Sequence, residues 1–149
     1  YDGSAYDVAK VYSAEVVPHI VTDAEAALAR VGAAGKVAIS GYCFGGTVTW
    51  LAACRSRFDA AIAYYGSDMC DYPDEAARCP TICHVGDKDT AVPPEDVAKF
   101  QAKRPEVYWH IYPGVLHGFD NWTRSERYDA AASKLARERT MAFLEEHIG

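Results

Sequence analysis

The sequence predicts a single α/β domain, with a mostly parallel sheet covered by helices on both faces. Short apolar runs alternate with helical patterns along the 149 residues, which is the order of strand–helix repeats. These runs are continuously apolar, as is typical of strands buried on both faces of a parallel sheet. A chain of this length can bury one hydrophobic core, so we expect one domain over residues 1–149.

Helices are predicted where apolar residues recur at spacings of three and four. Four such residues between Ala24 and Val31 fall on one face, and Gly32 follows them at a typical helix end. A helix before this one is expected to bend or break at Pro18, because proline lacks an N–H. The predicted helices span 6–20, Asp23–Val31, 45–54, Pro94–Arg104 and about Ser125–Ile148.

Four strands are predicted at the apolar runs between these helices, and polar or glycine residues follow the runs. The segment 67–80 contains Pro73, Pro80 and several charges, so we expect a loop with at most a short helical turn. The predicted strands are Val37–Ser40, Ala60–Tyr65, Thr81–Val85 and Val107–Tyr112.

Composition excludes several function classes. The net charge of −6 argues against binding nucleic acid or an anionic membrane, and no apolar run approaches the roughly 20 residues of a membrane span. Five cysteines without a CxxC pair favour neither a disulfide framework nor a metal site, and indicate a reducing, cytoplasmic location. The chain does not begin with Met, so we expect a processed start or a piece of a longer protein.

The most informative segment follows the first predicted strand and reads Gly41-Tyr42-Cys43-Phe44-Gly45-Gly46. It matches the nucleophile-elbow pattern G-x-S-x-G, with cysteine in place of serine. We expect Gly41 and Gly45 to remove side chains that would collide in the sharp turn. Cys43 then lies at a helix N-terminus that favours a thiolate, and the Phe44 N–H faces a developing oxyanion. The alternative is a small core residue in a tight turn.

An acid and a histidine follow later strands, at the same edge of the predicted sheet. Asp87 and Asp89 come after the third strand, and the spacing alone does not choose between them. His117 comes after the fourth strand. Each of them could instead be a turn or loop residue. Nucleophile, acid and histidine in this order favour a catalytic set.

These segments together resemble the dienelactone hydrolase family, the carboxymethylenebutenolidase-like members of the α/β-hydrolases. The resemblance rests on four segments, which are the elbow, Tyr64-Tyr65-Gly66, residues 84–93 and residues 112–119. The resemblance implies an α/β-hydrolase fold of which about the C-terminal two-thirds is present, with N-terminal strands missing. It also implies hydrolysis of a small ester or lactone through a Cys43–His117–Asp89 triad and an acyl-thioester, without metal or organic cofactor.

The resemblance and the positions of aromatic residues also suggest where a substrate binds. Tyr42, Phe44, Tyr65 and Phe119 suit an apolar pocket near the elbow, although ordinary core packing is the alternative for each. Members that act on dienelactone carry an arginine at the position of Asn121. A neutral or differently shaped ester is therefore at least as well supported as dienelactone.

Missing N-terminal strands would have two consequences. A second oxyanion-hole donor would be absent, so the alternative function is a catalytically weak or inactive hydrolase-like domain for binding or assembly. The strand Val37–Gly41 would be a bare apolar edge. We therefore expect it to pair with a second copy of the chain or with a separate N-terminal segment.

Overall fold

The computed structural model describes residues 16–149, except for the side chains of Val17 and Pro18. In this part of the chain, helices and strands alternate. The helices are α1 (Val16–Val31), α2 (Phe44–Arg55), α3 (Pro94–Lys103) and α4 (Ala130–Ile148). The strands are β1 (Ala38–Tyr42), β2 (Ala60–Tyr64), β3 (Thr81–Gly86) and β4 (Tyr108–Tyr112). Short 3-10 turns occupy Gly32–Ala34 and Met69–Asp71.

The four strands form one parallel sheet in the order β1-β2-β3-β4. The register aligns Tyr42 with Tyr64, Tyr64 with His84, and His84 with His110. Because all strands run in one direction, their carboxyl ends meet at one rim, where polar segments follow each of them. The predicted α/β class with a parallel sheet is confirmed.

Two apolar clusters pack on opposite faces of the sheet, because alternate strand residues point to opposite sides. On one face, Ile62 and Ile82 pack with Ala136 and Phe143 of α4. On the other face, residues of α2 and α3 pack with Ala63 and Cys83, and Val21 of α1 joins this cluster. Helices therefore cover both faces, as predicted.

Two of the predicted helix boundaries are wrong. A single helix runs from Val16 through Pro18, so the break expected at Pro18 is absent. Pro18 is the third residue of α1 as described, and N–H groups in a first turn have no partner within the helix. Residues 6–15 of the predicted first helix lie outside the described residues. The last helix begins at Ala130 rather than near Ser125, because Asp129 accepts a hydrogen bond from the Ala132 N–H and caps it.

Strand β1 lies at one edge of the sheet as far as the structure describes it. Ala38 and Ile39 are only half-buried and Ser40 is exposed, whereas every residue of β2 is buried. A groove of about 360 Å³ runs along this edge between β1 and α1. Its apolar lining includes Leu28 and Val31 of α1 together with Phe58.

Candidate active site

Cys43 lies between β1 and α2, at a sharp strand-to-helix turn. Its backbone has φ 54° and ψ −122°, and residues other than glycine rarely adopt a positive φ. The Cys43 N–H donates a hydrogen bond to the Tyr64 carbonyl at 3.0 Å. A Cβ at Gly41 would lie 2.0 Å from the Gly45 carbonyl oxygen, so Gly41 lets β1 and α2 cross closely. The prediction that Gly45 also removes a colliding side chain is wrong, because a Cβ at Gly45 would meet nothing within 4 Å.

The structure brings Cys43, His117 and Asp89 into one hydrogen-bonded path. His117 Nε2 lies 3.2 Å from Cys43 Sγ, and His117 Nδ1 lies 2.8 Å from Asp89 Oδ2. The Asp89 side chain is fully buried, and that of His117 is 15 % exposed. The thiol is half-buried beside these two groups, so solvent and a small molecule reach it.

The two acids that follow β3 have different partners. Asp89 Oδ1 accepts hydrogen bonds from the backbone N–H groups of Ala91 at 2.8 Å and Val92 at 2.9 Å, which leaves Oδ2 for His117. Asp87 instead accepts a hydrogen bond from the Gly114 N–H at 2.6 Å and holds the turn after β4. Asp89 is therefore the acid that hydrogen bonds to His117, and Asp87 does not.

Electrostatics at the site favour a thiolate beside a protonated histidine. The hydrogen bond with His117 lowers the pKa of Cys43, against the opposing effect of burial, and the charge of His117, the Phe44 N–H and the Ser67 hydroxyl lower it further. Burial alone would lower the pKa of His117, but hydrogen bonds and charges from Asp89 and Cys43 raise it to about 9. Each partner thus stabilises the charged form of the other.

Two cavities of opposite charge meet at Cys43 and His117. The larger, about 420 Å³, is lined by Phe44 and by polar residues that follow β2: Ser67, Asp68, Asp71 and Tyr72. The smaller, about 200 Å³, is lined by aromatic and polar residues and two arginines: Tyr42, Tyr65, Asn121, Arg124 and Arg127. A molecule bound at Cys43 therefore has a carboxylate-lined side and a guanidinium-lined side.

Most residues predicted to contact a substrate line these cavities. Phe44 lines the larger cavity, and Tyr42, Tyr65 and Asn121 line the smaller one. Phe119 does not reach either cavity, because it is fully buried with its ring 5.4 Å from that of Tyr65. It supports the pocket wall from behind.

The sequence analysis assigned no substrate contact to the charged walls of the two cavities. Asp68 follows the carboxyl end of β2, where the rule that sites form at strand ends places it, but the sequence does not indicate which residues after β2 face Cys43. Arg127 lies inside the helix predicted from about Ser125, so the overlong helix prediction hid the fact that it borders the site. Arg124 lies directly before that predicted helix and lines the same cavity.

Comparison with known proteins places this site in a family. A model of the "Dienelactone hydrolase family" matches residues 4–148. The chain belongs to the dienelactone hydrolase family. Its relatives include a carboxymethylenebutenolidase of Pseudomonas putida, 32 % identical over 74 % of this chain and 48 % of that protein. Another is carboxymethylenebutenolidase 1 of Cupriavidus pinatubonensis, 33 % identical over 74 % of this chain and 48 % of that protein.

Solved structures agree with this dienelactone hydrolase assignment at the level of the fold. The dienelactone hydrolase-like promiscuous phosphotriesterase P91 from metagenomic libraries superposes with a TM-score of 0.77. The superposition covers 95 % of this chain and 66 % of P91 at 20 % identity, so it shows a shared α/β-hydrolase fold alone. The chain spans about half the length of these curated relatives. Among residues 16–149, no helix is long and apolar enough to cross a membrane.

Proposed function

We propose that this chain carries the catalytic centre of a hydrolase that cleaves a small carboxylic ester or lactone. The observation that supports it most is the continuous path from Cys43 Sγ through the His117 ring to Asp89, with distances of 3.2 and 2.8 Å. A thiol, a base and an orienting acid in this geometry are the parts of a nucleophilic acyl-transfer site. Membership of the dienelactone hydrolase family supports the same chemistry.

In the first half of the proposed reaction, the Cys43 thiolate attacks the carbonyl carbon and the carbonyl π electrons move to oxygen. The Phe44 N–H, at the start of α2, donates to this oxyanion. When the tetrahedral intermediate collapses, the C–O bond to the leaving group breaks. Protonated His117 gives its Nε2 proton to the departing alkoxide, and an acyl-thioester remains on Cys43.

In the second half, His117 is neutral and takes a proton from a water molecule that attacks the thioester carbonyl. The C–S bond then breaks, the carboxylic acid is released, and the thiolate and protonated His117 are restored. Asp89 holds Nδ1 throughout, so that Nε2 always faces the reacting atoms. A lactone follows the same steps, except that its leaving alcohol remains part of the acyl chain throughout, so the product is a single hydroxy acid.

The cavities and the cysteines add two further points to the proposal. Volumes of about 420 and 200 Å³ on either side of Cys43 support a small substrate, with its acyl and alcohol halves on opposite sides. The chemistry requires a reduced thiol, and all five cysteines are free in the structure. We therefore propose that the protein works in a reducing compartment such as the cytoplasm.

The test is turnover of p-nitrophenyl acetate by the 149-residue protein and its Cys43→Ala variant, with mass spectrometry of the quenched reaction. We expect burst release of p-nitrophenol and an acyl adduct on the Cys43 peptide, both of which disappear in the variant. Cys79→Ala is the matched control, because burial raises the pKa of this thiol to about 11 and it should retain full activity.

Two outcomes would contradict the proposal. Turnover that survives in Cys43→Ala would exclude the thiol as nucleophile. Neither turnover nor adduct in the unaltered chain would favour the alternative function, a hydrolase-like domain used for binding or assembly. One missing oxyanion donor lowers the rate by about 10²–10³, so the assay must detect turnover at that level.

A further inference from the structure

Four rings lie side by side across all four strands, on the face of the sheet that α4 covers. We call Tyr42, Tyr64, His84 and His110 the aromatic ladder, since the strand register pairs each of them with the next. Successive ring centroids are 4.6, 4.6 and 5.4 Å apart, with interplanar angles of 27°, 34° and 22°. The ladder ends at Tyr42, the residue directly before Cys43.

His84, in the ladder, is fully buried, and both of its ring nitrogens are hydrogen bonded. Nδ1 lies 2.8 Å from the Tyr112 hydroxyl, and Nε2 lies 2.9 Å from Thr140 Oγ1 of α4. The same Thr140 oxygen lies 2.8 Å from the Tyr64 hydroxyl. One threonine on α4 therefore bonds two neighbouring rings of the ladder.

The His84 ring is neutral in this path, because burial lowers its pKa to about 3. A neutral ring carries one proton, so one ring nitrogen donates and the other accepts. The hydroxyls of Tyr112 and Thr140 can each donate or accept, so both nitrogens are satisfied whichever of them carries the proton. The guanidinium of Arg139 lies over the Tyr112 ring, 5.3 Å from its centroid.

Tyr64 is the point where this path meets the candidate active site. Its carbonyl accepts the Cys43 N–H at 3.0 Å, and its ring stacks on Tyr42. The next residue, Tyr65, packs edge-on against the His117 ring with centroids 5.0 Å apart. A shift of Tyr64 would therefore displace both Cys43 and the residue that packs against His117.

We propose that Thr140 and His84 are positioning residues of this centre. Through Tyr64, their hydrogen bonds fix the Cys43 backbone and the contact between Tyr65 and His117. The inference rests on the proposed hydrolase function for its kinetic consequence. Its structural content, the alignment of Cys43 with His117, does not depend on turnover.

The test compares Thr140→Val, which keeps the side-chain shape but cannot bond, with Thr140→Ser, which keeps the hydroxyl. We expect Thr140→Val to lower kcat about tenfold with little change in KM, because a small misplacement of reacting groups is costly. We expect Thr140→Ser to recover kcat to within about twofold of the original. Phe143→Leu is the control, because it removes core packing from the same helix and leaves every side chain that hydrogen bonds in the path unchanged.

A second readout separates positioning from loss of stability. We expect the pH midpoint of Cys43 alkylation by iodoacetamide to rise in Thr140→Val, because a looser His117 contact stabilises the thiolate less. Phe143→Leu should leave that midpoint unchanged. This measurement needs no turnover, so it tests the inference even if the hydrolase proposal fails.

Two results would overturn the inference. One is a Thr140→Val protein whose kcat and alkylation midpoint equal those of Phe143→Leu at matched stability. The other is nitrogen-15 NMR of the unaltered protein showing a charged His84 ring at neutral pH, which would contradict its burial between Tyr112 and Thr140. A neutral ring is the expected result.

Discussion

At the scale of single residues, Cys43 and His117 act as one titrating unit. The pKa of Cys43 is lowered mainly by its hydrogen bond with His117, while that of His117 is raised to about 9. The pKa of the sulfur is therefore lower than that of an unperturbed thiol, and His117 keeps its proton until about pH 9. Between these two points the pair consists of a thiolate and an imidazolium.

This pairing predicts how Cys43 reacts with iodoacetamide as pH is varied. We expect alkylation to reach half its maximal rate at a lower pH than for an exposed cysteine without a charged partner, because the contact with His117 lowers the pKa of Cys43. The midpoint should rise in His117→Gln, because the contact that lowers the pKa of Cys43 is lost while burial of the sulfur still raises it. His19→Gln is the control, because this histidine is exposed on α1, lines neither cavity and should leave the midpoint in place. An unchanged midpoint in His117→Gln would show that the contact does not set the ionisation of Cys43.

The two acids after β3 predict a sharp contrast between neighbouring positions. Asp89→Asn should lower kcat on the order of 10³-fold or more, because an amide no longer holds His117 Nδ1–H as a charged acceptor. Asp87→Asn should cost little activity, since an amide oxygen still accepts the Gly114 N–H. Ester turnover at saturating substrate measures both. Equal losses in the two variants would contradict the separate roles assigned to these acids.

At the scale of elements, the crossing of β1 and α2 depends on one glycine. A Cβ at Gly41 would lie 2.0 and 2.3 Å from backbone atoms of Gly45, which cannot rotate away. We expect Gly41→Ala to destabilise the protein by about 3 kcal/mol or more. In Gly45→Ala, the new Cβ meets nothing within 4 Å, and alanine suits a helix better than glycine.

Thermal and urea unfolding of these two variants would test the crossing. Gly45→Ala should be as stable as the unaltered protein, or more stable by about 0.5 kcal/mol. Similar stability of both alanine variants would mean that the elbow can open enough to admit a side chain. That result would contradict the close approach of strand and helix.

The sequence predicted the strands and the meeting of Cys43, Asp89 and His117 well, for a physical reason. In a parallel sheet, residues that follow each strand must share one rim, so the order of motifs carries spatial information. Choosing Asp89 over Asp87 needed the family resemblance, because both acids lie in the same turn. The start of α4 was missed, because residues 125–129 favour a helix locally while the Asp129 cap sets the boundary.

Local sequence patterns do not predict contacts between distant segments of the chain. The sequence analysis included His84 only as the first residue of 84–93, one of the segments that carry the family resemblance. Its real partners come from β2, β4 and α4, and they are identified only when the sheet register and the docking of α4 are known. The charged cavity walls likewise bring together residues that are distant in the chain, since Asp68 and Arg124 lie 56 residues apart.

At the scale of the whole molecule, β1 is an edge strand of the sheet that the described residues form. Its outer side faces an apolar groove, and relatives are about twice as long as this chain. We propose that the 149-residue chain associates with a second copy through Val37–Gly41, because an unpaired apolar edge recruits another strand. Pairing with a separate N-terminal segment is the competing outcome.

Light scattering of the 149-residue chain and two lysine variants would test this edge. We expect the unaltered chain to be dimeric or larger, and Ser40→Lys to be monomeric, because an edge lysine blocks strand pairing. Ile111→Lys, on the exposed β4 strand at the opposite edge, should leave association unchanged. A stable monomer of the unaltered chain would contradict self-association through β1.

The positive φ of Cys43 has a consequence for the balance between activity and stability. The strain belongs to the position rather than to sulfur, and it costs about 1–3 kcal/mol for any residue with a side chain. Glycine alone escapes this cost, so Cys43→Gly should unfold at a higher temperature than Cys43→Ala, although alanine is usually the more stable of the two. A substitution that stabilises the protein at this position would thus remove the residue that the proposed function needs as its nucleophile, so selection for stability alone would act against the proposed chemistry.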